Sequence, residues 1–332
     1  MAYTAKVKAL IGISTGLGLV VLVLAIIVLV QTIIKQNLEL KTKQTKLTNN
    51  QTTEPMKRSN KRINPLLIMM PSQITGKDGA IMIKIPAGEF LMGSIPEEVS
   101  SALKGFPERV CRDIADFFLE AECPQRKVDL DGYWIYKCEV TVAQYRKFCE
   151  ATGKNLPDAP DGGWKDSHPI VDVSWDDANA YAKWAGASLP SEAQWEKAAR
   201  GTDGRVYPWG NDWDASRCAN SVEKSMDGTA TVCGYPKGAS PYGCLDMAGN
   251  VWEWCADWYD PAYYKSAASS NPKGPAEAVK FEWCGPTVRG SRVLRGGSWY
   301  YDNNVYFRCA NRSYHEPTAR DRDDGFRCVV NQ

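Results

Sequence analysis

Residues 294–313, LRGGSWYYDNNVYFRCANRS, bring many chemically versatile side chains together around one cysteine, Cys309. Aromatic rings with polar edges beside amide and guanidinium groups are typical of binding surfaces, where the rings supply contact area and the polar groups supply hydrogen bonds. This composition predicts a ligand-binding surface. The side chains predicted to contact the ligand are Ser298, Trp299, Tyr300, Tyr301, Asn304, Tyr306, Arg308, Asn311, Arg312, Tyr314 and His315.

Conventional catalytic groups are scarce. The chain has only two histidines, His168 and His315, which nearly excludes a three-histidine or two-histidine iron site. Neither histidine has a nucleophile-elbow sequence nearby, so nothing in the sequence favours a Ser-His-Asp triad. With 40 basic against 39 acidic residues, the net charge also argues against a general electrostatic attraction to nucleic acid.

Three helices are predicted to support this surface, each from its capping signals. The first helix lies within VTVAQYRKFCEATG, with Thr141 as its N-cap, Gln144 three residues later and Gly153 just past its end. A second helix starts near Ser174 or Asp176, within VSWDDANAYAKWAG. LPSEAQWEKAARG follows, capped by Ser191 and Gln194 and ending at Gly201. Beyond residue 201 the chain is rich in Gly, Asn, Asp, Pro and Trp, which predicts a turn-rich half with short strands.

The N-terminal region has a different composition. Residues 10–34 carry no charged side chain, and as a helix they could cross about 30 Å of hydrocarbon. No small-x-small cleavage site follows, which favours an uncleaved single-pass signal anchor that tethers the chain to a membrane. The predicted order is a short tail (1–9), the anchor (10–34), a polar tether (35–79) and a globular domain (80–331). Lysines on both sides leave the orientation open.

All 11 cysteines lie on one side of the predicted anchor, and none forms a Cys-x-x-Cys pair. Their number favours disulfides in an oxidising compartment, with buried free thiols as the alternative. The large domain is therefore expected to be extracytoplasmic.

Seven motifs occur in order: IPAGEFLMGS, CEVTVAQYRKFC, HPIVDVSWDDANAYAKWAGASLPSEAQWEKAARG, YPWGN, DMAGNVWEWCADWY, RVLRGGSW and GFRCVV. Together they resemble the formylglycine-generating enzyme, or sulfatase-modifying factor, family over residues 80–331. The resemblance implies an α+β domain with the C-type-lectin-like fold and little regular secondary structure, here behind one N-terminal transmembrane helix.

The resemblance also shows what is missing. Members that oxidise a sulfatase cysteine to formylglycine hold copper with two cysteine thiolates just after the Gly-Gly-Ser turn, and soft thiolates suit Cu(I). In this sequence Tyr301 stands at the first position, counted forward from Ser298, and Asn304 at the second, counted back from Cys309. Copper-dependent formylglycine generation is therefore not expected.

Two further sets of residues follow from the resemblance alone. Cys309 and Cys328 match disulfide-forming cysteines of the family, for which Cys138 and Cys149 are candidate partners. Two structural calcium sites are implied, since calcium prefers carboxylate and carbonyl oxygens. The first comprises Asp246, Gly249, Val251 and Glu253, and the second comprises Asn220, Ser221, Asp227 and Thr229.

Three functions remain open: a binding or scaffold domain for a protein or other extracytoplasmic ligand, an enzyme with a different oxidative or other activity in the same cleft, and a formylglycine generator without the usual cysteines. One version of the first resembles the variable proteins of diversity-generating retroelements. Residues 300–324 contain only Glu316 from the set Lys, Gln, Glu, Met and Trp, which randomised adenines in an AAC codon cannot encode. Sequencing the 3′ end of the gene across a cell population tests this version.

Overall fold

The computed structural model describes residues 72–104, 117, 120–160, 162–222, 228–282 and 287–332. The predicted anchor, residues 10–34, lies outside these ranges. Within them, no helix has both the length and the apolar character needed to cross a membrane.

Four α-helices are described, and three of them are the predicted ones. The side chains of Thr141, Ser174 and Ser191 each accept a hydrogen bond from the backbone N–H three residues later, closing capping boxes with Gln144, Asp177 and Gln194. These caps satisfy backbone donors that the first helical turn leaves free. The helices are α1 (Pro96–Ala102), α2 (Val142–Thr152), α3 (Trp175–Trp184) and α4 (Glu192–Arg200).

The strands are short and form several small sheets. In chain order they are β1 (Gln73–Thr75), β2 (Ile81–Ile85), β3 (Gly88–Met92), β4 (Arg126–Leu130), β5 (Tyr133–Tyr136), β6 (Trp252–Trp258), β7 (Lys280–Glu282), β8 (Thr287–Arg289), β9 (Arg292–Arg295), β10 (Ser313–His315), β11 (Asp324–Gly325) and β12 (Val329–Asn331). β1 lies within the segment 35–79 that the sequence assigns to the tether.

Two four-stranded sheets organise the domain, in the orders β1-β2-β5-β12 and β10-β9-β6-β11, and the pairs β3-β4 and β7-β8 stand apart. Most pairings are antiparallel, but β11 runs parallel to β6, with Asp324 opposite Trp252. This mixture of short strands, four helices and long loops agrees with the predicted α+β class.

Aromatic side chains form much of the core. Tyr145 of α2 stacks on Tyr181 of α3 with ring centroids 5.7 Å apart, and the ring of Phe326 meets that of Tyr181 edge-on at 5.3 Å. Trp195 of α4 and Trp254 of β6 are fully buried. The indole N–H of each finds an acceptor, the Glu253 carboxylate for Trp195 and the Val173 carbonyl for Trp254. Satisfied donors of this kind let a large ring be buried without losing a hydrogen bond.

Buried ion pairs connect α4 to the chain on both sides of the Gly-Gly-Ser turn, at Arg295 before it and Arg312 after it. The guanidinium of Arg312 binds both oxygens of Glu192 at 2.6 and 2.9 Å, and Arg295 binds Glu196 at 2.5 Å. All four side chains are at most 2% exposed. Buried charges of this kind require their partners, because an unpaired charge in the interior costs several kcal/mol.

The cysteine pattern differs from the prediction. Cys138 forms a disulfide, but with Cys233, across a sequence separation of 95 residues. Cys149, Cys309 and Cys328 are free and buried, so the predicted pairing is wrong for these three. They lie within the two large apolar clusters, where a buried thiol packs as a small apolar group. Cys111 and Cys284 lie outside the described ranges.

We predict that Arg312→Met lowers the free energy of unfolding by about 3–5 kcal/mol, because it leaves Glu192 buried with one cationic partner fewer. Urea denaturation measures this change. Arg146→Met is the control: its partner Asp166 is 69% exposed, and the pair is worth less than about 1 kcal/mol. Equal losses in the two variants would contradict a structural role for the buried pair.

Candidate functional site

A cleft of about 360 Å³ opens beside the predicted binding segment. It combines aromatic rings with a group of carboxylates. Its lining residues are Trp252, Leu294, Tyr300, Tyr301, Ser313, His315, Asp321, Arg322, Asp323 and Asp324.

Sheet pairing brings these residues together from distant parts of the sequence. β11 places Asp324 opposite Trp252 of β6, and β10 pairs with β9 so that Ser313 stands opposite Leu294. The imidazole Nδ1 of His315 lies 2.7 Å from Oδ2 of Asp324. That hydrogen bond is the first cause of a raised pKa for His315, which favours the charged imidazolium beside the carboxylate.

The carboxylates at the base of the cleft are crowded and poorly solvated. The hydroxyl of Ser298 donates to Oδ2 of Asp323 at 2.5 Å. Burial, reinforced by the neighbouring Asp324 and Asp321, nevertheless raises the pKa of Asp323 to about 7. Asp324 is fully buried, and burial raises its pKa as well. One of its oxygens, Oδ1, has no hydrogen-bond partner among the described residues.

Aromatic rings form the walls of the cleft. Tyr301 meets Trp252 edge-on, with ring centroids 5.8 Å apart, and Tyr300 meets Tyr301 in the same way at 5.7 Å. Tyr300 is 56% exposed. The guanidinium of Arg322 lies 5.2 Å from the ring centroid of Trp299 and 5.5 Å from that of Tyr300. The walls therefore offer both apolar area and ring faces that attract cations.

The predicted ligand-contacting residues fall into separate groups. Tyr300, Tyr301 and His315 line the cleft. Ser298 is not among the lining residues, but its hydroxyl donates a hydrogen bond to Asp323, which is. Trp299 is 7% exposed and borders a different cavity of about 530 Å³.

The remaining predicted contacts point elsewhere. Asn304 borders a third cavity, and Tyr306 packs on Tyr301 with ring centroids 4.3 Å apart. Tyr314 packs on Tyr259 and Phe281 at 4.7 and 5.0 Å, within the aromatic packing of the core.

Three predicted contacts are corrected by the structure. Arg308, Asn311 and Arg312 are at most 3% exposed, although Arg308 also borders the third cavity beside Asn304. Arg308 makes two hydrogen bonds to Glu122, at 2.6 and 2.8 Å, as Arg312 does to Glu192. Their guanidinium groups are committed to buried carboxylates, which explains why composition alone misassigned them.

The sequence reasoning missed the acidic half of the cleft. Asp321, Arg322, Asp323 and Asp324 come from the run ARDRDDGFR, just before the Gly-Phe-Arg motif. The four consecutive charged residues next to a buried strand could have predicted a site here, because charged residues are seldom placed beside the core without a partner or a role.

The two positions expected to hold the copper thiolates do not form one site. Tyr301 lines the cleft, whereas Asn304 begins a 3₁₀ turn, Asn304–Phe307, and borders the third cavity. The thiol of Cys309, the nearest cysteine along the sequence, is fully buried, and burial raises its pKa to about 12. A phenol and an amide directed to different cavities do not fit Cu(I), which prefers thiolates.

The loop predicted as the first calcium site contains a buried acidic cluster. Glu139, Asp246 and Glu253 are all at most 6% exposed. Both oxygens of Glu253 bind Arg327, at 2.6 and 2.7 Å, so its charge is compensated within the protein.

Glu139, which the sequence reasoning missed, is not compensated in this way. Its Oε1 accepts a hydrogen bond from Nδ2 of Asn250 at 3.1 Å, and its Oε2 has no hydrogen-bond partner in the described part of the chain. Burial, then the nearby Asp246, raises the pKa of Glu139 well above its usual value. An unpartnered buried carboxylate oxygen of this kind fits a cation.

At the predicted second calcium site, Asp227 lies outside the described ranges. The Oδ1 of Asn220 accepts the backbone N–H of Val222 at 3.0 Å, and the Thr229 hydroxyl lies 2.9 Å from Nδ1 of His168. Ser221 donates its backbone N–H to the Tyr301 carbonyl at 3.0 Å. The carboxamide oxygen of Asn220 is thus already engaged within the protein, whereas the ligand atoms predicted for Ser221 and Thr229 are their backbone carbonyl oxygens.

Comparison with known proteins agrees with the fold and with the motifs. Residues 70–332 match the family described as "Sulfatase-modifying factor enzyme 1-like domain". The chain belongs to the sulfatase-modifying factor family. It is 32% identical to the formylglycine-generating enzyme of Streptomyces coelicolor over 307 residues, covering 74% of this chain and 88% of that one. It is 28% identical to the mouse formylglycine-generating enzyme over 309 residues, covering 75% of this chain and 74% of that one.

Solved structures of this family's fold superpose on the chain at lower identity. PvdO of Pseudomonas aeruginosa gives a TM-score of 0.61 at 24% identity, covering 79% of this chain and 99% of that one. Treponema denticola variable protein 1 gives a TM-score of 0.56 at 22% identity, covering 79% of this chain and 100% of that one. At these identities the superpositions show a shared fold alone.

The raised pKa of Asp323 predicts a pH-dependent stability. The folded protein keeps a proton that the unfolded chain has released, so the free energy of unfolding falls as pH rises from 3.8 to about 7. We expect Asp323→Asn to remove this fall and to stabilise the protein above pH 7 by roughly 1–3 kcal/mol, allowing for partial solvation. Urea denaturation across pH measures it. Asp302→Asn, at an exposed position, is the control; an unchanged pH slope in Asp323→Asn would contradict the assignment.

Proposed function

We propose that this member of the sulfatase-modifying factor family is a binding module without copper-dependent formylglycine generation. It would be tethered to a membrane through residues 10–34, with its folded domain on the extracytoplasmic side. The ligand would be a protein or another extracytoplasmic molecule, bound at the cleft beside Tyr300 and Tyr301.

One observation carries this proposal. The cleft that follows the Gly-Gly-Ser turn is lined by aromatic rings and carboxylates, and no described cysteine lines it. At the two positions where the enzymatic relatives hold thiolates, Tyr301 faces this cleft and Asn304 faces another cavity. Tyr300 adds an exposed ring beside the opening, and exposed aromatic groups next to a concave site are typical of recognition surfaces.

A second candidate, an enzyme with a different activity in the same cleft, is favoured by Asp323. A carboxyl group with a pKa of about 7, hydrogen-bonded to a serine hydroxyl, is suited to general acid–base chemistry near neutral pH. We rank it second because the Ser298 side chain is fully buried and the remaining side chains of the cleft supply no described thiol nucleophile.

Retroelement diversification is a narrower version of the binding proposal. Treponema denticola variable protein 1 shares the fold, which is compatible with it. Within residues 300–324, however, Val305, the run 307–312 and Asp324 are buried, so variation compatible with folding would be confined to the remaining positions. Codon scatter at those remaining positions across a cell population would support diversification, and an invariant segment would contradict it.

The binding proposal predicts site-specific capture. A photo-crosslinking amino acid replacing Tyr300 in the full chain, expressed in its own cells, should form one discrete adduct on illumination. The same group at Ile81, which is 48% exposed in β2, is the control and should not form that adduct. Absence of an adduct at 300, or the same adduct from both positions, would contradict a binding role for this surface.

An activity assay on the same full chain distinguishes a binding module from a formylglycine generator. Supplied with Cu(I), oxygen, a thiol reductant and a cysteine-containing peptide, the full chain should form no peptide aldehyde, which mass spectrometry would detect. Aldehyde formation would instead establish a formylglycine generator that works without the usual cysteines.

We further propose that calcium stabilises the loop at residues 246–253. Asp246 and Glu139 would contribute carboxylates, with the carbonyl oxygens of Gly249 and Val251, while Glu253 remains paired with Arg327. The support is the unpartnered Oε2 of Glu139. The set of Asn220, Ser221, Asp227 and Thr229 stays a weaker proposal, since the Asn220 side-chain oxygen already accepts a backbone hydrogen bond.

Calcium removal should therefore destabilise the protein. A metal bound only by the folded state adds about 2.7 kcal/mol at a concentration 100 times its Kd. We expect the free energy of unfolding to be higher in excess CaCl₂ than in chelator, and Glu139→Gln to reduce that difference. Glu150→Gln, at an exposed position of α2, is the control. Identical stability of the unaltered chain with calcium and with chelator would rule the site out.

A further inference from the structure

We propose that the cleft recognises an organic cation, the ammonium or guanidinium group of a basic side chain or amine. The inference rests on the proposed binding function and names its ligand class. The cleft would hold the charged head between the Asp323 and Asp324 carboxylates and the rings of Tyr300, Tyr301 and Trp252.

The cleft is rich in acidic side chains. Three carboxylates, Asp321, Asp323 and Asp324, line one cleft of about 360 Å³. The cations available to balance them are His315, which engages Asp324, and Arg322, whose guanidinium lies over the rings of Trp299 and Tyr300. The neighbouring Asp324 and Asp321 carboxylates contribute to the raised pKa of Asp323, because these acidic groups crowd one another in the cleft. The cleft therefore has an excess of acidic groups.

One buried carboxylate oxygen at the cleft lacks a hydrogen-bond partner in the described part of the chain. Oδ1 of Asp324 is buried and has no hydrogen-bond partner among the described residues, although the Asp324 side chain is 0% exposed and borders the cleft. An unmade hydrogen bond to a buried carboxylate is costly, and native proteins rarely tolerate one without a ligand, water or ion. A donor entering the cleft would complete the coordination of this oxygen.

The walls indicate which kind of cation fits. Ring faces attract ammonium and guanidinium groups within about 6 Å of the centroid. A calcium or magnesium ion instead requires six or more oxygen ligands, and aromatic walls supply few of them. The cavity volume suits a charged head with part of its aliphatic stem, which could lie along Tyr300 and Leu294.

The same geometry makes binding pH-dependent. The titratable and charged groups facing the cleft are Asp321, Asp323, Asp324, His315 and Arg322, with Asp172 close to Asp321 and Asp324. A bound cation favours the ionised form of Asp323, so binding releases a proton below about pH 7. Affinity should therefore rise by several-fold between pH 5.5 and pH 8, levelling off above the pKa of Asp323.

Calorimetric titration of the full chain tests the inference. The probes are N-acetyl-lysine amide, N-acetyl-arginine amide, butylamine and the neutral analogue N-acetyl-norleucine amide, with CaCl₂ in a parallel series. We expect the lysine or arginine amide to bind at least about tenfold more tightly than the norleucine amide, because only the cations pair with the carboxylates. If the lysine or arginine amide binds more tightly than butylamine, the ligand is the side chain of a peptide. If their affinities are equal, the ligand is a free amine.

Substitutions assign the binding to the cleft. Asp324→Asn should weaken binding at least about tenfold, and Asp323→Asn should weaken it and remove its pH dependence. Tyr300→Ala changes an exposed ring and should cost several-fold while leaving the fold intact, which keeps the test decisive if Asp324→Asn fails to fold. Glu316→Gln, an exposed carboxylate near the cleft in sequence that does not line it, should change nothing.

The outcomes separate this inference from the function on which it rests. Equal affinity for the lysine and norleucine amides would overturn cation recognition, yet a crosslinked adduct at position 300 would leave the binding function standing. Calcium binding that is lost in Asp323→Asn would make the cleft a metal site and also overturn the inference. Failure of every probe, together with no adduct at position 300, would overturn both.

Discussion

Pairing of buried arginines with buried carboxylates is the constraint on which this domain depends. Glu192 and Glu196 of α4 and Glu122 before β4 all lie in the interior, and their partners Arg295, Arg308 and Arg312 come from the segment around the Gly-Gly-Ser turn. Because an uncompensated buried charge is so costly, the path of this segment is fixed wherever a guanidinium must reach its carboxylate. Trp195 and Trp254 then pack around a framework whose polar contacts are already satisfied.

The same constraint explains where the cleft can lie. The run 307–312 is held inside by its ion pairs, so the parts of the segment left at the surface are the turn after Ser298 and the stretch from Ser313 to Asp323. These two parts meet at Asp323, which accepts the hydroxyl hydrogen bond of Ser298. The acidic base of the cleft is therefore supported by backbone that the interior has already positioned.

Local signals in the sequence predicted local structure well. The caps at Thr141, Ser174 and Ser191 lie within a few residues of the helices they begin, and the structure confirms all three. Burial of Arg308 and Arg312 could not be predicted in this way, because each depends on a glutamate more than 100 residues away in sequence. An arginine in a polar, aromatic stretch has the same appearance whether it contacts a ligand or a buried carboxylate.

The disulfide and the acidic cleft illustrate the same limit. Cys233 pairs with Cys138 across 95 residues that include α2, α3 and α4, and no spacing of cysteines in the sequence predicts that pairing. Asp321, Asp323 and Asp324 acquire their significance only when β11 pairs with β6 and brings them beside Trp252. The family motifs predicted the fold because they are distributed along the whole domain, whereas the acidic residues of the cleft lie between motifs.

The alternation of buried and exposed positions after the Gly-Gly-Ser turn has an evolutionary consequence. Positions that hold the domain together and positions open to the surroundings are interleaved within about two dozen codons, yet their side chains point to different environments. Mutations at the open positions can accumulate with little effect on folding, since surface substitutions usually change stability by no more than about 0.5 kcal/mol. Such a segment allows the exposed chemistry of this surface to diverge rapidly between lineages, while the inherited architecture stays the same.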